Sequence, residues 1–312
     1  MKPTSRNKLP DQLVGNLHRI FTPGTVDKMV SAMASPRLTT CRINTLLAEP
    51  GDVMRALNNA GCKHEKLPWC PDALLFRNTR EKELERLDLY ERGAIYLQSL
   101  SSQIPVRVLE PQPGEKVLDI AAAPGSKTTQ MAALMENQGW ILANELNSIR
   151  AERLNYNLAK QGVRIAQLNI DKGERVGERY PETFDRVLVD APCSGEGRIQ
   201  FHDPASYRRW SESQVRDLAA LQKKLLSSAW RGLKPGGILV YSTCTLNKTE
   251  NEEVIDWALA HLTLQIQPIT LRIPGAVMGM ANGLHPSISY AIRLIPTSLM
   301  EGFFICRLIK TS

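Results

Sequence analysis

The sequence predicts an α/β protein: a Rossmann-like sheet of five parallel strands closed by an antiparallel pair, preceded by a smaller N-terminal α+β module. Three observations carry this. From Glu115 onward, short apolar runs alternate with segments long enough for crossover helices, the pattern of a parallel sheet covered on both faces. Two further strand-like runs, SYAIRLIP (289–296) and GFFICRLIK (302–310), lie close enough to pair antiparallel across 297–301. The residues before this region have a different texture, with two short helical patterns followed by strand, helix and strand signals.

In chain order, 11–35 reads as two helices, with Leu13, Leu17 and Ile20 on one face and Thr25 as N-cap of the second. LTTCRINTLL (38–47) reads as a strand and 52–60 as a helix with Val53 and Leu57 four apart. After Pro68 and Pro71, residues 74–76 read as a short strand. Segment 90–108 carries an apolar helical pattern (Ile95, Leu97, Leu100) closed by Pro105. It is expected to link the module, residues 1–105, to a main domain at 106–312. The five parallel strands are expected at 116–120, 140–144, 165–170, 185–190 and 237–243. Before the fifth, Val215, Leu218, Leu225, Ala229 and Leu233 form one helical stripe ended by Lys234-Pro235-Gly236-Gly237.

Composition narrows the class. The chain has 312 residues, 43% of them hydrophobic, enough for a large core and unlike a disordered tail. Neither a membrane span nor a secretory signal is expected, so the expected location is the cytoplasm, and the six scattered cysteines are expected as free thiols. Cys62, His64 and Cys70 match no standard zinc spacing and lack a fourth ligand, so no metal is expected. The formal charge of +7 is uneven: residues 1–45 carry seven Lys or Arg against two acids, and 193–235 carry eight against four. Both regions are candidate polyanion surfaces, with a solvated basic face as the alternative.

The chemistry concentrates at expected strand ends, where open α/β sheets bind ligands. After the first strand, Ala121, Ala122, Ala123, Pro124, Gly125, Ser126 and Lys127 form a small-residue loop. It lets a ligand approach the backbone and opens onto a helix N-terminus that favours a carboxylate or phosphate. It matches neither a P-loop, since Ala121 and Ser126 stand where glycines are needed, nor a dinucleotide fingerprint, since Gly125 is the one glycine. Glu145 ends the second strand, where an acid can accept bonds from ribose hydroxyls, and Asp171 ends the third, where it could receive an adenine amino group. The fourth strand stops at Asp190-Ala191-Pro192-Cys193, and the fifth at YSTCT with Cys244. If those two strands are neighbours, both thiols face one site beside Asp190, an arrangement suited to nucleophilic catalysis.

Taken together, LDIAAAPGSKT, Glu145, VDAPCSGEG and YSTCTLN resemble the Sun (Fmu) family of S-adenosylmethionine-dependent RNA cytosine-5 methyltransferases, most like its bacterial ribosomal RNA members. RINTL, YLQSLSS (96–102), IRLIP and GFFICRL extend the resemblance over nearly the whole chain. It implies a methyltransferase sheet with an N-terminal RNA-binding module, S-adenosylmethionine as cofactor and RNA as partner, ribosomal RNA ahead of transfer RNA; a monomer is expected. It implies Cys244 as nucleophile and Cys193 as the thiol that assists product release. Cofactor contacts carry over to 121–127, Glu145, Asp171 and Asp190, with Lys127 and Asp190 also approaching the target base. Ser126 departs from the family's usual glycine, and the sequence ends at Ser312 without the extra C-terminal RNA-binding domain of some members. A DNA-type methyltransferase using Cys193 as nucleophile, a noncatalytic ribosome-assembly factor and a dehydrogenase on the same sheet stay open as alternatives.

Overall fold

The computed structural model describes residues 9–311. Lys2, Arg6 and Lys8 of the basic N-terminal stretch lie outside the described residues. Two helices open the chain, α1 (Asp11–Ile20) and α2 (Pro23–Ala34), with Leu13 and Leu17 buried. Thr25 is not the cap. Pro23, whose fixed φ suits a first helical position, starts α2 earlier, and Thr22 takes the cap position.

The N-terminal module is a four-stranded antiparallel sheet in the order β2-β3-β1-β4, built from β1 (Thr39–Ile43), β2 (Glu65–Leu67), β3 (Cys70–Phe76) and β4 (Ile95–Leu97). Helix α3 (Pro50–Asn59) and the short α4 (Glu81–Leu84) and α5 (Asp88–Glu91) complete it. β1 is shorter than the apolar run suggested, because the chain turns at Asn44, whose carbonyl accepts from Leu47 N at 3.2 Å and Ala48 N at 3.1 Å while its Nδ2 donates to Gly93 O and Gln161 O, each at 2.9 Å. Segment 90–108 departs most from expectation. Ile95 and Leu97 lie in β4, where they pair with Ile43 and Cys41 and close the free side of β1. Helix α6 (Leu100–Leu109) begins only after Ser99, whose Oγ accepts from Ser102 N at 3.4 Å, and it runs through Pro105 instead of ending there. The proline forgoes one helical hydrogen bond, and burial of Leu100, Ile104, Val108 and Leu109 outweighs that loss.

The main sheet has the order β11-β12-β13-β9-β8-β5-β6-β7. Its parallel half is β5 (Lys116–Asp119), β6 (Trp140–Asn144), β7 (Ala166–Asn169), β8 (Phe184–Asp190) and β9 (Leu233–Thr243). Crossovers run through α7 (Ser126–Leu134), α8 (Ser148–Lys160), α9 (Gly173–Arg179) and α10 (Glu212–Gly232), and α11 (Glu252–His261) follows β9. β9 starts at Leu233, before the Pro-Gly-Gly turn, so Leu233 belongs to the strand and not to the helical stripe. The expected closing pair is β12 (Ile292–Leu294) against β13 (Phe303–Lys310), with β13 antiparallel to β9. β10 (Leu264–Gln267) and β11 (Ala276–Met278) were not expected; they add to β13 and β12.

The apolar runs are continuous because both faces are covered. Val187, Val189, Leu239 and Tyr241 pack under α10 and α11, while Leu188 and Val240 pack under α6 and α7. β8 and β9 are parallel neighbours with Asp190 opposite Ser242, so their two carboxyl ends open into the same space.

Candidate active site

Four chain segments meet there. Gly125 caps α7 with φ 105°, a conformation that L side chains rarely adopt, so the turn into the helix calls for glycine. That turn sends Lys127, in the first helical turn, toward the end of β8. Lys127 Nζ lies 2.7 Å from Asp190 Oδ2, donates to Ser102 Oγ at 2.9 Å, and stands 5.7 Å from the centroid of the Phe303 ring. Asp190 Oδ1 accepts from Ser242 Oγ at 2.8 Å, so both carboxylate oxygens are held and the side chain is fixed.

The Cys193 and Cys244 sulfurs are 3.3 Å apart. Gly197 N donates to Cys244 O at 3.0 Å and Gly302 N to Gly197 O at 3.0 Å, tying the Cys193 loop, the Cys244 loop and β13 together. The two thiols are electrostatically unequal. The hydrogen bond from the Cys193 thiol lowers the Cys244 pKa, against burial and aided by the Arg198 guanidinium. That same bond, then burial, pushes Cys193 well above the ordinary cysteine value. Of the two thiols, Cys244 is therefore the one that ionises more readily.

Two buried acids support this frame. Burial pushes Asp119 up to about 7, although Thr128 Oγ1 donates to it at 2.7 Å. Burial likewise pushes Glu250 up to about 7, although it accepts from Ser194 N at 2.9 Å and Gln222 Nε2 at 3.0 Å. A folded-state pKa raised this way favours the protonated carboxyl. Its stabilisation is complete below the unfolded value of about 4.3 and is lost as pH rises through about 7. The melting temperature of wild type is thus expected to fall relative to that of Glu250→Gln as pH is raised from about 5 to about 8. Parallel melting curves across that range would show that Glu250 does not titrate there.

A cleft of ≈ 520 Å³ collects Ala121, Ala123, Pro124, Ser126, Lys127, Asp190, Cys193 and Cys244 of the expected residues. Ala122 and Gly125 are buried beneath the loop, and Glu145 and Asp171 stand at the next two strand ends, off the cleft lining. Glu145 is only 4% exposed; its Oε1 accepts from Asn147 N at 3.0 Å, while Oε2 sits 3.3 Å from Arg150 Nη1 without a hydrogen bond. Asp171 Oδ2 is 2.9 Å from Arg179 Nη1, again without hydrogen-bond geometry. Each acid thus has a buried oxygen that is ion-paired with an arginine but accepts no hydrogen bond. Ser102, Ser242, Arg198, Glu301 and Phe303 went unread in the sequence, as did the exposed Leu146 and Ile170 beside the two acids. An apolar residue next to a strand-end acid was the available signal for Leu146 and Ile170.

Two arginines of the basic N-terminal stretch are held by protein partners. Arg42 is 2% exposed and donates to Gln98 Oε1 at 3.1 Å and Thr129 Oγ1 at 2.9 Å, so it joins the module to α7 and meets no solvent. Arg37 is held at 2.7 Å by Glu301. Cys62, His64 and Cys70 go separate ways: His64 Nδ1 lies 3.2 Å from Cys62 O, and Cys70 Sγ is 3.1 Å from Arg107 Nε. Among the described residues there is no group of three or more His, Cys, Asp or Glu that could hold a metal ion, and no helix long and apolar enough to cross a membrane.

The family model for the 16S rRNA methyltransferase RsmB/F matches residues 106–309, from the end of α6 through β13. This chain belongs to that family. The RsmB/F match takes in Asp190, Cys193, Cys244 and the 121–127 loop, and it is joined by relatives that extend into the N-terminal module. "Ribosomal RNA small subunit methyltransferase F" of Cronobacter sakazakii is 37% identical over 97% of the chain, and that of Citrobacter koseri 38% over 97%. The chain spans 64% of the length of each. A crystallised methyltransferase homologue from Pyrococcus horikoshii is 32% identical, with TM-score 0.80, covering 97% of this chain and all of that one.

Proposed function

We propose that this protein transfers a methyl group from S-adenosylmethionine to C5 of a cytosine in small-subunit ribosomal RNA, through a covalent adduct on Cys244. The observation that carries the reading is the sulfur pair 3.3 Å apart beside the Lys127–Asp190 ion pair in one cleft. The residues fit the cofactor: the 121–127 loop and helix N-terminus suit its amino-acid end, the strand-end carboxylate of Glu145 its ribose hydroxyls, and Asp171 its adenine amino group. When bound, the cofactor supplies an electrophilic methyl group.

C5 of cytosine is too weak a nucleophile on its own. The Cys244 thiolate adds to C6, forming an S–C6 bond and moving the C5–C6 π electrons onto C5, which would then take the methyl group as its bond to the cofactor sulfur breaks and that sulfur keeps the electron pair. Asp190 accepts from the exocyclic amino group while the Lys127 ammonium stabilises charge building on the ring. Once Cys244 is a thioether, its charge is gone, and with it the main cause of the raised Cys193 pKa. Cys193 can then ionise and take the C5 proton; the electron pair re-forms the double bond, and Cys244 leaves as thiolate. The lowered Cys244 and raised Cys193 pKa values favour these roles over the reverse, DNA-type assignment. The N-terminal module, residues 1–105, is the proposed RNA-binding part.

Purified protein is expected to incorporate labelled methyl from S-adenosylmethionine into unmodified small-subunit ribosomal RNA, with bisulfite sequencing marking one or a few cytosines. Label on no ribosomal RNA would sink the substrate assignment, and label at a position other than C5 would sink the chemistry.

A further inference from the structure

Beside the catalytic cleft, and sharing Arg198 with it, lies a second cavity of ≈ 460 Å³ walled by Arg37, Arg198, Gln200, Asp203 and Ser206. Among the described residues its two arginines pair with Glu301, and neither pairs with Asp203. Glu301 Oε1 is 2.7 Å from Arg37 Nη1 and 3.8 Å from Arg198 Nε, and Glu301 Oε2 accepts from Ser99 Oγ at 2.9 Å. One carboxylate therefore serves two guanidiniums, and the nearer one takes most of it. The Arg198 side chain is 65% exposed, while Arg37 is anchored further by donating from Nη2 to Gly197 O at 3.1 Å.

The far wall carries groups able to read a base. Ser206 Oγ accepts from Gln200 N at 3.1 Å and donates to Asp203 O at 2.6 Å, which fixes this backbone. Among the described residues the Gln200 side-chain amide has no hydrogen-bond partner, so its donor and acceptor are free. Asp203 Oδ1 accepts from Ala205 N at 3.0 Å, leaving Oδ2 for an amino group.

We propose that this cavity is the subsite for the nucleotide adjoining the target cytosine: Arg198, backed by Arg37, takes the phosphodiester between the two nucleotides, and Gln200 and Asp203 bond the neighbouring base. The inference rests on the RNA reading above. Arg198 is the residue common to both cavities, so a strand whose base enters the cleft passes over its guanidinium on the way to the second cavity. A planar fork of N–H donors matches phosphate oxygens, and free amide and carboxylate groups on a fixed backbone discriminate bases by the bonds they satisfy. Before RNA arrives, the same guanidinium faces Cys244, whose charge raises the Arg198 pKa; the subsite and the nucleophile share one cation.

The test measures binding, because changing Arg198 also alters the thiolate. Affinity for an in vitro transcript of small-subunit ribosomal RNA is followed against salt for wild type, Arg198→Gln, Arg37→Gln, Arg37→Lys and the control Arg164→Gln at the opposite edge of the sheet. Each lost phosphate contact lowers the magnitude of the log–log slope by about 0.7 for a single strand. Arg198→Gln is expected to show that drop and Arg37→Gln part of it, while Arg37→Lys and Arg164→Gln keep the wild-type slope. Gln200→Ala is expected to keep the slope but flatten the spread of kcat/KM among transcripts varied at the neighbours of the methylated cytosine. Wild-type slopes in both glutamine variants, confirmed folded by their melting temperatures, would overturn the subsite even where methylation stands. Failure of wild type to methylate any RNA would remove the functional reading, and the slopes would still decide whether this cavity holds phosphate.

Discussion

Cys244→Ala is expected to abolish methyl transfer and leave no protein–RNA adduct, whereas Cys193→Ala is expected to accumulate an adduct that survives denaturing gels. The first substitution removes the atom that adds to C6, while the loop at 121–127 is untouched, so cofactor binding persists. The second leaves addition and methylation in place and removes the group that takes the C5 proton, so the thioether forms and stalls. The hydrogen bond from Cys193 is the largest cause lowering the Cys244 pKa, so its loss raises that pKa. Arg198 remains as the supporting cation. Adduct formation by Cys193→Ala should therefore rise along a limb displaced to higher pH than the wild-type activity limb, since a larger share of Cys244 is then protonated at a given pH. A shifted band with Cys193→Ala that disappears in the double mutant supports the assignment. A shifted band with Cys244→Ala would reverse the two roles.

Arg293→Met is expected to cost about 3–5 kcal/mol of stability. Arg293 and Glu252 form an ion pair with both side chains wholly buried. Glu252 opens α11, where the helix N-terminus favours its charge, and it also accepts from Met280 N at 3.1 Å. The guanidinium donates to Leu246 O at 2.8 Å and stands 5.5 Å from Phe21 and 5.8 Å from Phe304, so the pair joins α1, α11, β12 and β13. Removing the cation alone strands a carboxylate in an apolar interior, which is why the cost is high. Replacing both partners, as Arg293→Met with Glu252→Leu, is expected to regain much of the loss, because a buried pair exchanged for apolar groups is close to neutral. Urea unfolding of the two variants checks this. A single mutant within about 1 kcal/mol of wild type would mean that water reaches the pair in solution. Leu246 lies two residues beyond Cys244, so activity should fall with stability in the single mutant.

The parallel half of the sheet was legible because burial on both faces leaves continuous apolar runs such as Val187 to Val189, and the two cysteines follow those runs directly. β10 and β11 were not: runs of four and three residues are too short for their pattern to stand out, and Leu264–Gln267 becomes a strand by pairing with β13. Ile95 and Leu97 satisfied a helical spacing with Leu100, yet pairing with β1 decided their conformation. A charge tally cannot see burial, so Arg42 counted toward a basic surface although it is an internal strut. Glu301 sat in what the sequence marked as a turn between strands; its importance comes from Arg37, Ser99 and Arg198, remote in sequence and adjacent in space.

The junction at Gly197 carries a genetic consequence. Its N–H is taken by Cys244 O and its carbonyl by Gly302 N and Arg37 Nη2, and a Cβ on Gly197 would lie 2.1 Å from Gly302 O. A Cβ on Gly302 would lie 2.8 Å from Gly197 Cα. A single methyl at either position acts as a wedge that parts the two sulfur-bearing loops from β13. Alleles selected for lost methylation should therefore include alanine at 197 and at 302, two positions 105 residues apart that touch no substrate, and should show the phenotype of a damaged nucleophile with the cysteines intact.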